Sequence, residues 1–202
     1  MAAVVAAGAG FLAARLEAGP GLSPLRARIV ALAEGQVGYS SDPSSTYCNK
    51  FSAYWNAGTD DCGNDNLDEE WCADFAAWVW KQAGAVVQYQ LAPGSLNGAS
   101  ASFYVWGLRH GTWHPVGSGY APQPGDVAVY GLDTGAVTAV HVAVVTADSG
   151  DPAAPDVVNG DGDRTGYSVV EVGDHQSDAD VTGHAAPLAG YVSPTAPAGS
   201  SS

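Results

Sequence analysis

The order of the signals along the chain predicts an α+β fold with N-terminal helices packed on a C-terminal antiparallel β-sheet. Helical spacing fills the first half, short β runs separated by Gly, Pro and Asp fill the second, and the two do not alternate as a doubly wound parallel sheet requires. With 46% hydrophobic and 14% charged residues, the 202-residue chain has apolar side chains enough for one core, while 26 Gly and 12 Pro imply many turns. One folded domain, 23–192, and one site are expected.

The first helix is signalled by Ser23 as N-cap, Pro24 in the first turn, the stripe Leu25, Ile29 and Leu32, and Gly35 as stop. Residues 40–70 are rich in Ser, Asn, Asp and Gly, with an aromatic interruption at Phe51, Tyr54 and Trp55, and read as a surface excursion pinned by one short packed segment. A second helix is expected from residue 69 or 70 to 83, with Asp68 as N-cap and Gly84 as stop. Phe75, Trp78 and Val79 on one side and Ala76, Ala77 and Trp80 on the other make it apolar nearly all round, so it should be buried. After an irregular aromatic stretch holding Phe103, Tyr104, Trp106 and Trp113, strands are expected at 126–130, 140–145, 157–158, 167–172 and 188–192.

The ends read differently. Residues 2–14 are almost wholly apolar, but Arg15 cuts the run well below the ~20 residues of a membrane span. Without a basic start, the segment 1–22 is expected to be a trimmed secretion signal. Residues 193–202 form a Ser/Pro/Ala tail with nothing to bury, expected to be disordered.

A net charge of −14, from 21 Asp and Glu against seven Lys and Arg, repels phosphate backbones and anionic lipid. Neither nucleic acid nor membrane is therefore expected as a partner, and solubility is reason enough for the acidity. Cys48, Cys62 and Cys72 are an odd number without a Cys-x-x-Cys pair, which disfavours structural zinc and favours one disulfide plus one free thiol. The acidic residues Asp60, Asp61, Asp65, Asp68, Glu69 and Glu70 are a loose calcium candidate, better read as a solvated loop. Asn159, Asp161 and Asp163 fail as a calcium loop, since Arg164 and Val170 stand where glycine and glutamate belong.

Cys72 falls in the first turn of the second helix, where unpaired N–H groups and the dipole favour a thiolate. Glu69 and Glu70 work against that, and an inert buried cysteine is the ordinary alternative. A thiol nucleophile needs a base. Among five histidines, His141 stands out because it opens the run Val142-Ala143-Val144-Val145 after a Pro-Gly-Asp strand. His110 and His114 have metal-ligand spacing, but Gly111 and Pro115 make them loop residues; His175 and His184 lie in polar surroundings. A third group should orient the histidine ring, and strand alternation puts Asn159 and Asp161 on one face, so either can serve; a polar hairpin turn is the alternative.

Taken in order, Trp71-Cys72-Ala73-Asp74-Phe75, Pro124-Gly125-Asp126-Val127-Ala128-Val129-Tyr130 and His141-Val142-Ala143-Val144-Val145 resemble the motifs of the CHAP family. These are cysteine, histidine-dependent amidohydrolases and peptidases, papain-like enzymes of peptidoglycan. The likeness runs from about Ile29 to Val192. It departs where the family pattern resembles Glu-Gly-Asn and this chain has Asn159-Gly160-Asp161. The resemblance implies a secreted monomeric hydrolase of peptidoglycan amide bonds with Cys72 as nucleophile and His141 as base, Asn159 more than Asp161 orienting the ring, and no cofactor or metal. With Cys72 as the free thiol, Cys48 is expected to pair with Cys62 across the excursion of residues 40–70. Tyr104, Trp106 and Trp113 are candidates for a cleft wall, with core packing the alternative. Two other readings stay open: a general secreted thiol protease, and a wall-binding or toxin-like module without turnover.

Overall fold

The computed structural model describes residues 21–162, 168–181 and 184–199. Residues 1–20, which hold the apolar run 2–14, Asp163 and Arg164 of the rejected calcium loop, Tyr167, and residues 200–202 lie outside the described residues.

Helix α1 (Pro24–Glu34) begins where its signals put it, with the Arg26 N–H donating to Ser23 Oγ at 3.4 Å and Gly35 at its end. Helix α2 (Lys50–Trp55) is the short packed segment of the excursion, capped by Asn49 Oδ1, which accepts from the Phe51 and Ser52 N–H groups. Helix α3 (Cys72–Ala83) starts later than expected. The residue expected to cap it, Asp68, belongs instead to β2 (Leu67–Asp68), where it pairs with Cys48 of β1 (Cys48–Asn49); Trp71 occupies the cap position. Helix α4 (Ala101–His110) was not expected, because its aromatic content and Gly107 blur the helical pattern. His110 therefore ends a helix and His114 lies in β3 (Trp113–Pro115), so neither is the loop residue anticipated.

The sheet contains β3, β4 (Val127–Tyr130), β5 (His141–Ala147), β6 (Asp156–Gly162), β7 (Val169–Gly173), β8 (Asp178–Val181) and β9 (His184–Val192). Strands run in the order β3-β9-β4-β5-β6-β7, with β8 paired to β9 and every pairing antiparallel. The result is the α+β arrangement of helices before an antiparallel sheet. Alternation divides the strands between two buried faces. Val127, Val129, Val142, Val144 and Val158 join the helices in the main core, while Ala128, Tyr130, Ala143, Val145 and Val157 join a smaller cluster behind the sheet. Helix α3 lies across β5 and β6, flanked by α1 and α2.

Gly160 explains that close approach. It lies within β6, not in a hairpin turn, and a Cβ there would meet Phe75 Cβ at 2.5 Å, so only glycine lets α3 lie so near the sheet. The Pro-Gly-Asp segment is held from the helical side. Arg26 donates to Asp126 Oδ1 at 2.9 Å and to the Pro124 carbonyl at 2.8 Å, while Trp80 Nε1–H donates to the Gly125 carbonyl at 2.9 Å. At the other end, the segment expected as a free tail is tied down at its start. Ser193 N–H reaches Thr112 O at 3.1 Å and Val86 N–H reaches Thr195 O at 2.8 Å.

Asp74, fully buried in α3, joins three segments: it accepts from Ser52 Oγ at 2.6 Å and from the Tyr89 hydroxyl, and its carbonyl accepts from Trp55 Nε1 at 3.0 Å. Burial pushes its carboxyl above the ordinary range, with the two hydroxyl donors pulling the other way. A carboxyl whose folded pKa is raised contributes its full stability below the unfolded pKa and loses it as pH rises through the folded value. The unfolding free energy of Asp74→Asn should accordingly fall less than wild type as pH is raised from about 4. Urea titrations at a series of pH values check this, and parallel curves would remove Asp74 as the source.

Cys48 and Cys62 form a disulfide across a sequence separation of 14, closing the acidic loop. Removing both sulfurs in Cys48→Ser/Cys62→Ser should cost about 3 kcal/mol by chain entropy, read as a lower urea midpoint.

Candidate active site

Cys72 is the first residue of α3, at the end of a stripe formed by Phe75, Ala76 and Val79, each fully buried. Its thiol is 7% exposed. The sulfur accepts the main-chain N–H of Val142 and lies 3.2 Å from Ser100 Oγ. Because Val142 follows His141, that first bond sets the sulfur beside the start of β5, the strand that carries the histidine.

Burial pushes the Cys72 thiol up to about 12; the Ser100 and Val142 hydrogen bonds pull it down, and the negative charges of Asp161 and Asp74 push it further up. Raising a thiol from 9.0 to about 12 corresponds to about 4 kcal/mol, more than the roughly 2 kcal/mol a helix terminus supplies at best. Desolvation therefore outweighs the dipole and disfavours the thiolate.

His141 is 4% exposed, and its Nε2 lies 2.9 Å from Asn159 Oδ1. The register explains the meeting. Asn159 stands opposite Ala143, two residues along β5 from His141, so the side chains share a face on a diagonal. An amide oxygen only accepts, so Nε2 carries a proton, and in the neutral ring Nδ1 keeps its lone pair.

Asp161 does not join them. Simple alternation would put it on the Asn159 face, but β6 bulges between Asn159 and Gly162, and Asp161 has a left-handed φ of 58°. Its carboxylate instead accepts the Trp71 N–H at 3.0 Å and the Ser168 hydroxyl, whose oxygen accepts Trp71 Nε1–H at 2.5 Å. Asp161 thus anchors the residue before the candidate nucleophile.

Two participants went unnoticed in the sequence. Ser100 stands before α4, where a serine ordinarily caps the helix, yet its side chain makes no cap and reaches the thiol. Gln176 exchanges two hydrogen bonds with Asn159, Asn159 Nδ2 donating to Gln176 Oε1 at 3.0 Å and Gln176 Nε2 donating to Asn159 Oδ1 at 3.2 Å. Only spacing from a known element could have flagged Ser100; nothing in the sequence flags Gln176.

The remaining candidates lie elsewhere. Trp106 is fully buried and stacks on His110, so it belongs to the core; Tyr104 and Trp113 pack edge to face at 5.0 Å, both half-buried. His114 stacks on Tyr120, and the exposed His175 lies 3.3 Å from Asp156. The side chain of His184 is outside the described residues. Asp60, Asp61, Asp65 and Glu70 are exposed. Cys48, Cys62 and Asp68 bring three potential metal-ligating atoms within 4.8 Å of one another, but the disulfide consumes both sulfurs.

Residues 63–160 match the CHAP domain family model, a span that holds Cys72, His141 and Asn159 and ends one residue before Asp161. Over that span the chain is similar to the CHAP domain. No curated protein matches the sequence. Among solved structures it is similar to NlpC2 from Trichomonas vaginalis, at 12% identity and a TM-score of 0.45 over 86% of this chain; it spans 47% of that chain, about half its length.

Since the Ser100 hydroxyl lowers the thiol pKa, Ser100→Ala should raise it and slow iodoacetamide alkylation of Cys72 by about tenfold at fixed alkaline pH. Mass spectrometric rate measurements check this. Faster alkylation would mean that the hydroxyl chiefly shields the sulfur.

Proposed function

We propose that this chain is a secreted cysteine hydrolase of amide bonds in peptidoglycan. The observation that carries the reading is the His141 Nε2···Asn159 Oδ1 bond at 2.9 Å beside a strand whose next N–H, that of Val142, holds the Cys72 sulfur. In the neutral ring with Nε2 protonated, Nδ1 would be the nitrogen to take the thiol proton.

In the proposed reaction, the Cys72 S–H proton passes to His141 Nδ1 as sulfur bonds to the substrate carbonyl carbon. The carbonyl oxygen takes the electron pair, and the Cys72 main-chain N–H, which has no intrahelical acceptor, stabilises it. His141 then returns the proton to the amine as the C–N bond breaks, leaving a thioester. Water attacks the thioester, giving its proton to His141; the acid leaves and the thiol is restored. Because burial disfavours the thiolate, base assistance is required in the attack itself. Asn159 would fix the ring by an uncharged bond, which supports the imidazolium less than a carboxylate does.

Secretion is supported by the disulfide, since such bonds persist in oxidising compartments. Among the described residues no helix is long and apolar enough to cross a membrane. One chain carries the whole constellation, so a monomer suffices. The competing reading, a wall-binding module without turnover, has one observation on its side, the burial of the thiol.

Mass analysis of the products from purified peptidoglycan separates these readings and tells the sugar–peptide amide from bonds within the peptide stem. Cys72→Ala should eliminate product while the protein stays folded, and His141→Ala should do so while leaving wall binding. Asn159→Ala should lower kcat by about 10- to 1000-fold with little change in KM, and Asp161→Ala less. Cleavage by Cys72→Ala, or no cleavage by wild type, would end the reading; a greater kcat loss at Asp161 would reverse the roles of the pair.

A further inference from the structure

We infer that the groove between α4 and the β4–β5 connection is a subsite for a short-side-chain residue of the stem peptide near the scissile amide, with Asn97 donating to a main-chain carbonyl of that peptide. The inference deepens the proposed function and rests on it for the identity of the peptide.

The groove has a volume of about 190 Å³, and its two walls belong to the two segments that meet at the thiol. On one side, Ala99 and Ala101 stand before and after Ser100, whose hydroxyl lies 3.2 Å from the Cys72 sulfur. On the other, Val137 belongs to the connection that runs into His141 at the start of β5. A peptide whose carbonyl carbon reached the sulfur would carry its neighbouring residues along these walls. The apolar lining, Ala99, Ala101, Val105 and Val137, consists of short side chains. Such a lining suits a methyl-sized substituent and offers no aromatic face on which a sugar ring could lie.

The polar groups of the groove are donors. Asn97 Oδ1 accepts the Ala99 main-chain N–H at 2.9 Å, and because a main-chain N–H only donates, that bond settles which end of the amide is which. Nδ2 is the end left over, and among the described residues it makes no hydrogen bond. Ser95 Oγ accepts the Ala92 N–H at 3.1 Å and keeps its own proton to give. Ser102 is already spent: its hydroxyl donates to the Asn97 carbonyl at 3.1 Å and accepts the Asn97 N–H at 3.2 Å, tying the segment to the first turn of α4. The lining holds no cation, so these donors fit an uncharged carbonyl better than a carboxylate. The opposite wall is also held in place. Val137 has a left-handed φ of 56°, which a β-branched residue rarely adopts, and main-chain bonds between Asp133 and Thr138 at 2.8 and 3.1 Å close the loop around it. Both walls are thus formed before a substrate arrives, which lowers the cost of binding.

The test uses the full chain carrying Cys72→Ala, so that nothing is consumed, with two probes: soluble disaccharide-peptides released from purified peptidoglycan, and the same disaccharide without peptide. Nuclear magnetic resonance should show the disaccharide-peptides shifting the Asn97 side-chain amide and the Val137 methyl groups, and the bare disaccharide shifting neither. Asn97→Asp keeps the acceptor for the Ala99 N–H but loses the donor, and should weaken binding about tenfold. Ala99→Phe fills the groove and should weaken it at least as much. In the chain that retains Cys72, both variants should leave the iodoacetamide rate of Cys72 unchanged, which shows that Ser100 still reaches the sulfur. If either variant altered that rate, Val137→Gly on the other wall, where glycine suits the left-handed backbone, carries the test and should also weaken binding. No shift at Asn97 and Val137, equal shifts with the bare disaccharide, or undiminished binding by the variants would overturn the inference. If wild type left peptidoglycan uncut while disaccharide-peptides still occupied the groove, the proposed function would fall and the subsite would stand; cleavage without occupation of the groove would do the reverse.

Discussion

Close packing of α3 on β5 and β6 is the constraint on which the rest of the molecule depends. It requires Gly160 under Phe75, and it delivers the first residue of the helix to the first residues of β5. Contacts around that junction hold one or another side of it. Asp161 and Ser168 fix Trp71 just before the helix, Asp74 ties the first turn to α2, and Arg26 and Trp80 hold the segment leading into β4. Burial of a whole helix against a sheet is worth far more than any one of these bonds, so they direct the packing more than they cause it.

The same packing sets the chemistry. A sulfur at a helix N-terminus facing water would gain from the dipole; this one is sealed beneath Ser100 and against Val142, and the loss of solvent outweighs the helix field. Two carboxylates, Asp161 and Asp74, add to the cost of a thiolate. In the proposed reaction such a site would keep its nucleophile quiet until a base took the proton, which would place the demand on the histidine and on what orients it. The ring meets an amide pair behind the sheet, Asn159 with Gln176, on the face that alternation assigns to His141.

Legibility in the sequence followed the range of the interactions. Helix α1 was readable because Ser23, Pro24 and Gly35 act within a turn of themselves, and β4, β5 and β9 because their apolar runs are short and bounded by Gly, Pro or Asp. Helix α3 was readable as buried, but its start was not: Asp68 looks like a cap locally, and a strand pairing with Cys48 claims it. Helix α4 lacked local signals and took its place from tertiary packing.

Residue chemistry and order along the chain were enough by themselves to single out Cys72, His141 and the Asn159/Asp161 pair, because a thiol at a helix start and a histidine at a strand start are local facts. Which member of the pair meets the histidine was decided only in the folded chain. Alternation treats Asn159 and Asp161 alike, whereas a bulge with a left-handed residue at Asp161 sends that carboxylate to Trp71 and leaves Asn159 on the diagonal from His141. Ser100 and Gln176 also entered only with the tertiary structure, 28 residues from Cys72 and 17 from Asn159, since contacts across such separations depend on how strands and helices meet and not on any pattern along the sequence.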